Sequence, residues 1–338
     1  MSQNETAQRA DALGTQRIFP LILQYALPAI AMMLISSLYN IVDKAFVGNF
    51  VGQLGITATT VCNPAVRIID AFAMLVGAGG STLLALRLGE GRSQDAESIL
   101  NNSFLLLILE NAVLIFLGYA FTEPLLRLFG AGDQVMPYAV TYMRVVLIGA
   151  FFNSTANGFG MFVRVDGSPR RMMLCSVTGC ILNIILDPIA IYVLGWGIAG
   201  AAAATAFSQI VSGLMVIYYF TLSPRSTMKL RLRLFRLGKI TSLKTAELGF
   251  SSFLQQFTGS LSQSVLLSCL ALFATAETAS ADVAQASVGI TISIGLFFLL
   301  PALGVSSAIQ PIISYNYGAR NYHRVVDTLK TATVFSIA

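Results

Sequence analysis

The chain runs to 338 residues, 55% of them apolar and 11% charged, with a mean hydropathy of +0.73 and a net charge of +5. A soluble globular domain carries about 45–50% apolar and about 25% charged residues, so 21 basic and 16 acidic side chains cannot cover a water-soluble fold of this length. Soluble enzymes, disordered regulators and secreted disulfide scaffolds are excluded, and lipid must cover much of the surface. A helix needs about 20 apolar residues to cross a bilayer. Runs that qualify fall, in chain order, at 18–46, 56–86, 99–121, 135–162, 172–194 and 198–222. After a basic stretch come 245–274 and 283–314, and a last run opens near Val325. The first seventeen residues are polar and no cleavable signal peptide precedes the first run. The runs are too long for barrel strands and lack a period of two. The fold class is therefore an all-α polytopic membrane protein, read as eight complete helices and the start of a ninth.

The position of the basic residues sets the orientation. With the N-terminus inside, inner segments hold 17 of the 21 Lys and Arg, whereas the outer loops hold only Lys44 and Arg127. Arg67 and Arg144 fall within spans. The basic charge thus marks cytoplasmic loops and not a nucleic-acid surface. The N-terminus and the basic run 225–244 are expected in the cytoplasm, the latter beside anionic lipid heads, in a chain integral to the cytoplasmic membrane.

An internal repeat is visible. Leu88-Gly89-Glu90-Gly91-Arg92 follows the second run, and Tyr317-Gly318-Ala319-Arg320 follows the eighth, 229 residues later. Six helices is an even number, so both halves insert with the same orientation, related by an axis along the membrane normal. The implied organisation is a six-helix lobe at 1–222, a basic cytoplasmic linker at 223–244, and at 245–338 part of a second lobe with helices 7, 8 and the start of 9. A complete second lobe needs about three more helices, so the chain reads as a C-terminally truncated fragment.

Ionisable groups inside spans are expensive and default to functional candidates. Asp187 lies sixteen residues beyond the inner Arg171, about 24 Å up a core about 30 Å thick, and Asp43 lies at a similar height on the first helix. Asn183 and Asp187 share one helix face, and Pro188 loosens the backbone beside them. Tyr39, Asn40 and Asp43 share one side of the first helix. Two carboxylates with amide and hydroxyl oxygens make a hard-ligand pocket suited to a proton or Na⁺. Competing readings stand beside this one. Asp43 precedes Lys44 and also fits an interfacial residue, and Arg67 and Asp70 fit an internal ion pair. Glu110 fits a substrate cavity or a hydrogen bond within the bundle. Arg144 fits an acid's counter-charge or a side chain reaching out to the interface. Gly77-Ala78-Gly79-Gly80 and Gly200-Ala201-Ala202-Ala203-Ala204 fit close helix approach. Cys62, Cys175, Cys180 and Cys269 fit small core residues. The 22 Phe and 11 Met fit either cavity lining or lipid-facing surface. No catalytic constellation is visible and the single histidine, His323, lies in an inner loop, so no enzyme activity is expected.

The segment Pro28-Ala29-Ile30 through Tyr39-Asn40-Ile41-Val42-Asp43, with Gly48, resembles the first helix of the multidrug and toxic compound extrusion (MATE) family, in its prokaryotic branch related to the DNA-damage-inducible transporters. Asn183-Ile184-Ile185-Leu186-Asp187-Pro188 is similar to that branch's fifth helix. Gly200 to Thr205 with Ser208-Gln209 is similar to its sixth, and Gln310-Pro311 with Tyr315-Asn316-Tyr317-Gly318-Ala319 to the end of its eighth. The resemblance covers essentially the whole chain. It implies a MATE-like fold of two six-helix lobes in which organic cations leave by alternating access in exchange for Na⁺ or H⁺. It further implies a cation site of Asp43, Asn183, Asp187 and Thr205. Tyr39, Tyr142 and Asn157 would sit beside that site and the drug cavity, to which Asn40, Glu110 and Arg144 are assigned. The implied partners are cationic or amphipathic drugs, H⁺ or Na⁺ and membrane lipids, for a monomer with no cofactor beyond Na⁺ as coupling ion. A flippase for lipid-linked oligosaccharides, from the same superfamily, is the alternative, but it needs cavity Arg or Lys and only Arg67 and Arg144 are available. One departure concerns the second lobe, where the seventh helix offers Gln255 and Gln256, and its one acid, Glu247, is near the cytoplasmic end.

Overall fold

The computed structural model describes residues 12–273 and 281–337, and it is helical with no strand among them. A helical turn at 12–15 leads into α1 (Ile18–Phe50), α2 (Gln53–Gly89), α3 (Ser93–Ala120) and the short α4 (Thr122–Leu128). Next, α5 (Met136–Ser154) passes through a π-helical stretch at Thr155–Phe159 into α6 (Gly160–Val165). The helix α7 (Pro169–Pro188) ends in a second π-helical stretch at Ile189–Val193, and α8 (Gly197–Thr221) follows. Beyond the linker come α9 (Lys239–Phe273), α10 (Ala281–Gly318) and α11 (Tyr322–Ile337). Six segments among the described residues are long and apolar enough to cross a membrane: α1, α2, α3, Met136–Val165, Pro169–Val193 and α8. They match the six runs read from the sequence. The chain is an integral membrane protein.

Large apolar side chains such as Phe116, Ile185 and Val334 stand exposed. In lipid this carries no penalty, and it leaves little hydrophobic drive to pull helix onto helix. Association must come from close packing of small residues. A Cβ added at Gly77 would lie 2.5 Å from the Cα of Gly158, and one at Gly79 1.9 Å from the Thr245 carbonyl oxygen. A Cβ at Gly200 would lie 2.6 Å from the Ala190 carbonyl oxygen. The glycine runs are therefore helix crossings. Cys62, Cys175 and Cys180 are free and buried, as small core residues should be, while the Cys269 side chain lies outside the described residues.

The repeated turn recurs bond for bond. After α2, the amides of Glu90, Gly91 and Arg92 donate to the carbonyls of Leu86, Leu88 and Arg87 at 3.0, 3.0 and 2.9 Å. After α10, the amides of Ala319, Arg320 and Asn321 donate to Tyr315, Tyr317 and Asn316 at 2.9, 3.1 and 2.9 Å. Every donor and acceptor in the second set lies 229 positions after its counterpart. The left-handed position also recurs, with φ +76° at Gly91 and +59° at Arg320, the one non-glycine with positive φ among the described residues. The two helix ends meet each other reciprocally. A Cβ at Gly89 would fall 2.0 Å from the Tyr315 carbonyl oxygen, and one at Gly318 2.2 Å from that of Leu86. Such a contact maps onto itself when the two repeats are exchanged, as a two-fold axis through the crossing requires.

Hydrogen bonds knit the same end of the bundle together. Gln310 Nε2 on α10 donates to Thr82 Oγ1 on α2 at 2.8 Å, and Arg164 on α6 bonds Ser307 on α10. The basic linker is held as well. Asn101 Nδ2 donates to the Lys229 carbonyl at 3.0 Å while its Oδ1 accepts from the Arg231 amide at 2.7 Å, and Asn102 Nδ2 donates to the Arg236 carbonyl at 2.8 Å. Buried Asp166 accepts from Tyr219 Oη at 2.7 Å and from the Thr227 amide and hydroxyl.

Candidate cation and cargo site

Asn183 and Asp187 are four residues apart on α7, one turn of helix. The Asn183 amide donates to Asp187 Oδ1 at 3.3 Å and to Thr205 Oγ1 on α8 at 3.3 Å. Pro188 removes a backbone donor immediately after the acid, and the helix widens into the π-helical turn Ile189–Val193. The first helix closes the arrangement. Ser36 Oγ lies 3.6 Å from Cys180 Sγ across α1 and α7, and two turns further along both helices the carboxyl groups of Asp43 and Asp187 come within hydrogen-bonding reach of each other. Tyr39 and Tyr142 both lie close to this pair.

The cluster is short of donors. Asp43 Oδ1, Asp187 Oδ2 and Asn183 Oδ1 are all buried with no hydrogen-bond partner. A buried acceptor left unmade costs about 1–3 kcal/mol, and two carboxylates in contact repel unless a proton or a cation stands between them. Three orphaned oxygens from two helices, with the Thr205 hydroxyl alongside, form a donor set that a small hard cation or a proton satisfies.

The other residues named from the sequence lie in varied places. The Asn40 amide turns back along α1 to the Ser36 carbonyl at 2.6 Å. Asn157 sits in the π-helical stretch, exposed, donating to Asn153 Oδ1 at 3.3 Å. Glu110 on α3 has a buried Oε1 without a hydrogen-bond partner. Arg144 is exposed, its carbonyl accepting from Tyr119 Oη at 2.6 Å. The structure thus brings Tyr39 and Tyr142 to the carboxyl pair and leaves Glu110 and Arg144 apart from it.

The ion pair read between Arg67 and Asp70 does not form, since no ion pair among the described residues includes either. Asn153 Nδ2 takes the place of Arg67, donating to Asp70 Oδ1 at 2.8 Å, and the Asn157 amide is near enough to bond the same carboxylate. Asn153 went unremarked in the sequence. Its signal there is a spacing of four from Asn157. His323 Nδ1 pairs with Asp327 Oδ2 at 2.9 Å on the exposed side of α11.

Membrane-spanning helices packed around buried carboxyl groups are an arrangement found on substrate and ion pathways of membrane transporters. The MatE family model matches residues 28–189 and 259–338, and the chain belongs to that family, whose members are transporters and not enzymes. The chain is 26% identical over 317 residues to the multidrug export protein MepA of Staphylococcus haemolyticus, a match taking in 94% of this chain and 68% of that one. It is equally 26% identical over 320 residues to MepA of Staphylococcus aureus (strain NCTC 8325 / PS 47), covering 95% and 69%. Among solved structures, MATE in the straight conformation superposes with a TM-score of 0.88 at 27% identity, covering 97% of this chain and 71% of that one. The outward-facing conformation of a multidrug resistance MATE family transporter superposes with a TM-score of 0.86 at 27% identity, covering 98% and 71%.

Proposed function

We propose that this chain is a multidrug efflux transporter that expels organic cations in exchange for Na⁺ or H⁺ entering the pocket of Asp43, Asn183, Asp187 and Thr205. The observation that carries the reading is the trio of buried, partnerless oxygens on Asp43, Asp187 and Asn183. A cation or proton there relieves the repulsion between the two acids and draws α1 onto α7. An ion that favours one arrangement of these helices and a drug that favours the other are coupled, and the coupling acts equally in both directions. The staphylococcal relatives, both multidrug export proteins, support the cargo class.

The bond-for-bond turn repeat supports a division into one lobe at 1–222, a linker at 223–244 and a second repeat from 245. The excess of inner Lys and Arg supports a cytoplasmic N-terminus in a prokaryotic plasma membrane. In that orientation the Gly89–Gly318 crossing lies at the cytoplasmic side. Drug-triggered ion entry into vesicles carrying the protein tests the proposal. Wild type should take up Na⁺ or acidify when drug is added, and Asp43→Asn and Asp187→Asn should not. Full drug export by both variants at normal protein levels refutes the coupling.

A further inference from the structure

A third membrane-embedded carboxylate, Asp70 on α2, has no role in the ion pocket. Its setting is built. Asn153 donates to one oxygen at 2.8 Å, Asn157 braces Asn153 at 3.3 Å, and both amides stand at or beside the π-helical stretch Thr155–Phe159. That stretch is packed hard against α2, because a Cβ at Gly158 would lie 2.8 Å from the Ala73 carbonyl oxygen. Asp70 is therefore held by a rigid contact one turn away. Asp70 as a residue is half-buried and Asn157 beside it is exposed. Arg67, one turn along α2, is near enough to act on it electrostatically yet makes no ion pair with it. Tyr39 on α1 is near enough to Asp43, Asp187 and Asp70 for each carboxyl group to act on it electrostatically.

The geometry points to Asp70, oriented by Asn153 and Asn157, as the carboxylate that receives the positive charge of the exported cargo. This inference rests on the export reading above. A charge inside a span needs a partner, and here the amides orient the carboxylate without neutralising it. A lipophilic cation supplies the contacting charge that Arg67 does not, and Tyr39 is an aromatic side chain close by. Cargo at Asp70 and an ion at Asp43/Asp187 then place two positive charges in one low-dielectric lobe, with Tyr39 near both. Each weakens the other, which is the sign an exchanger requires. Arg67 sits where it competes with cargo for Asp70.

The test uses tetraphenylphosphonium as probe and tetraphenylborate, its anion of matching shape, as control, with the purified protein in detergent and in proteoliposomes. Asp70→Asn keeps the shape and the Asn153 contact and should weaken tetraphenylphosphonium binding at least tenfold, with no weakening of tetraphenylborate. Asp70→Glu should recover part of the loss. Arg67→Gln should tighten tetraphenylphosphonium binding severalfold, an opposite effect that mere structural damage does not produce. Wild-type affinity for tetraphenylphosphonium in Asp70→Asn overturns the inference, as does unchanged or weaker binding in Arg67→Gln. If wild type exports the probe in an ion-dependent way while Asp70→Asn does so equally well, the inference fails and the export reading stands. If wild type moves no drug at all, both fail.

Discussion

Substituting Gly89 by alanine tests the reciprocal crossing. The new Cβ would lie 2.0 Å from the Tyr315 carbonyl oxygen and 2.8 Å from the Ala319 amide nitrogen, and contacts under 3.0 Å are essentially never seen. Both partners are backbone atoms of a helix end tied by its own hydrogen bonds, so no side chain can rotate away. The helices must part by about 1 Å, loosening the packing of Leu88, Ile312 and Tyr315, all buried at the crossing. Overpacking of this kind costs about 1–3 kcal/mol. At about 2 °C per kcal/mol for a chain of this size, thermal unfolding followed by fluorescence should fall by roughly 2–6 °C. Gly318→Ala should cost a similar amount, because its Cβ would meet the Leu86 carbonyl oxygen at 2.2 Å. The double variant should lose less than the two losses combined, since one separation accommodates both methyl groups. Gly132→Ala, where nothing lies within 4 Å, is the control. A Gly89→Ala protein that melts with wild type would refute the reasoning, and so would strictly additive losses.

Three further outcomes are expected. Saturating the Asp43/Asp187 pocket with its coupling ion should stabilise wild type by about 2.7 kcal/mol at a hundred times the dissociation constant. Melting scans against Na⁺ at fixed pH, and against pH at fixed Na⁺, should show this for one of the two ions and lose it in Asp187→Asn. Arg320→Gly should raise stability by roughly 0.5 kcal/mol, because a left-handed L-residue costs about 1–2 kcal/mol, partly offset by the greater chain entropy of glycine; an unchanged or lower melting temperature contradicts the turn geometry. Asp166→Ala removes the acceptor that Tyr219 and Thr227 share and should cost about 2–3 kcal/mol, with faster proteolysis in the linker after Ser223 as the local readout.

Much of the fold was legible because its signals are local. A helix of about 20 apolar residues announces itself by composition, and the six described spans fall where the runs predicted. The turn repeat was legible from a handful of small residues because three consecutive backbone bonds and one left-handed position are set by nearest neighbours along the chain. Asn183 and Asp187 paired as the spacing of four implies, since helical geometry alone brings them together. The Arg67–Asp70 expectation rested on the same kind of spacing and failed, because Asn153, 83 residues away in sequence, supplied a donor that the helix itself does not contain. Asn40 likewise shares a side of α1 with Asp43, yet its amide turned to its own backbone.

The sequence by itself determined the membrane class, the spans, the repeated turn and which acids lie deep, because each follows from the hydropathy and periodicity of a continuous segment. Tertiary structure alone decided other meetings across helices: Asp70 with Asn153, Gly89 with Tyr315 and Gly318 with Leu86. Lipid solvates every apolar face alike, so hydropathy does not select partners. Partners are chosen by where two backbones can approach closely, and that is a property of pairs of segments far apart along the chain.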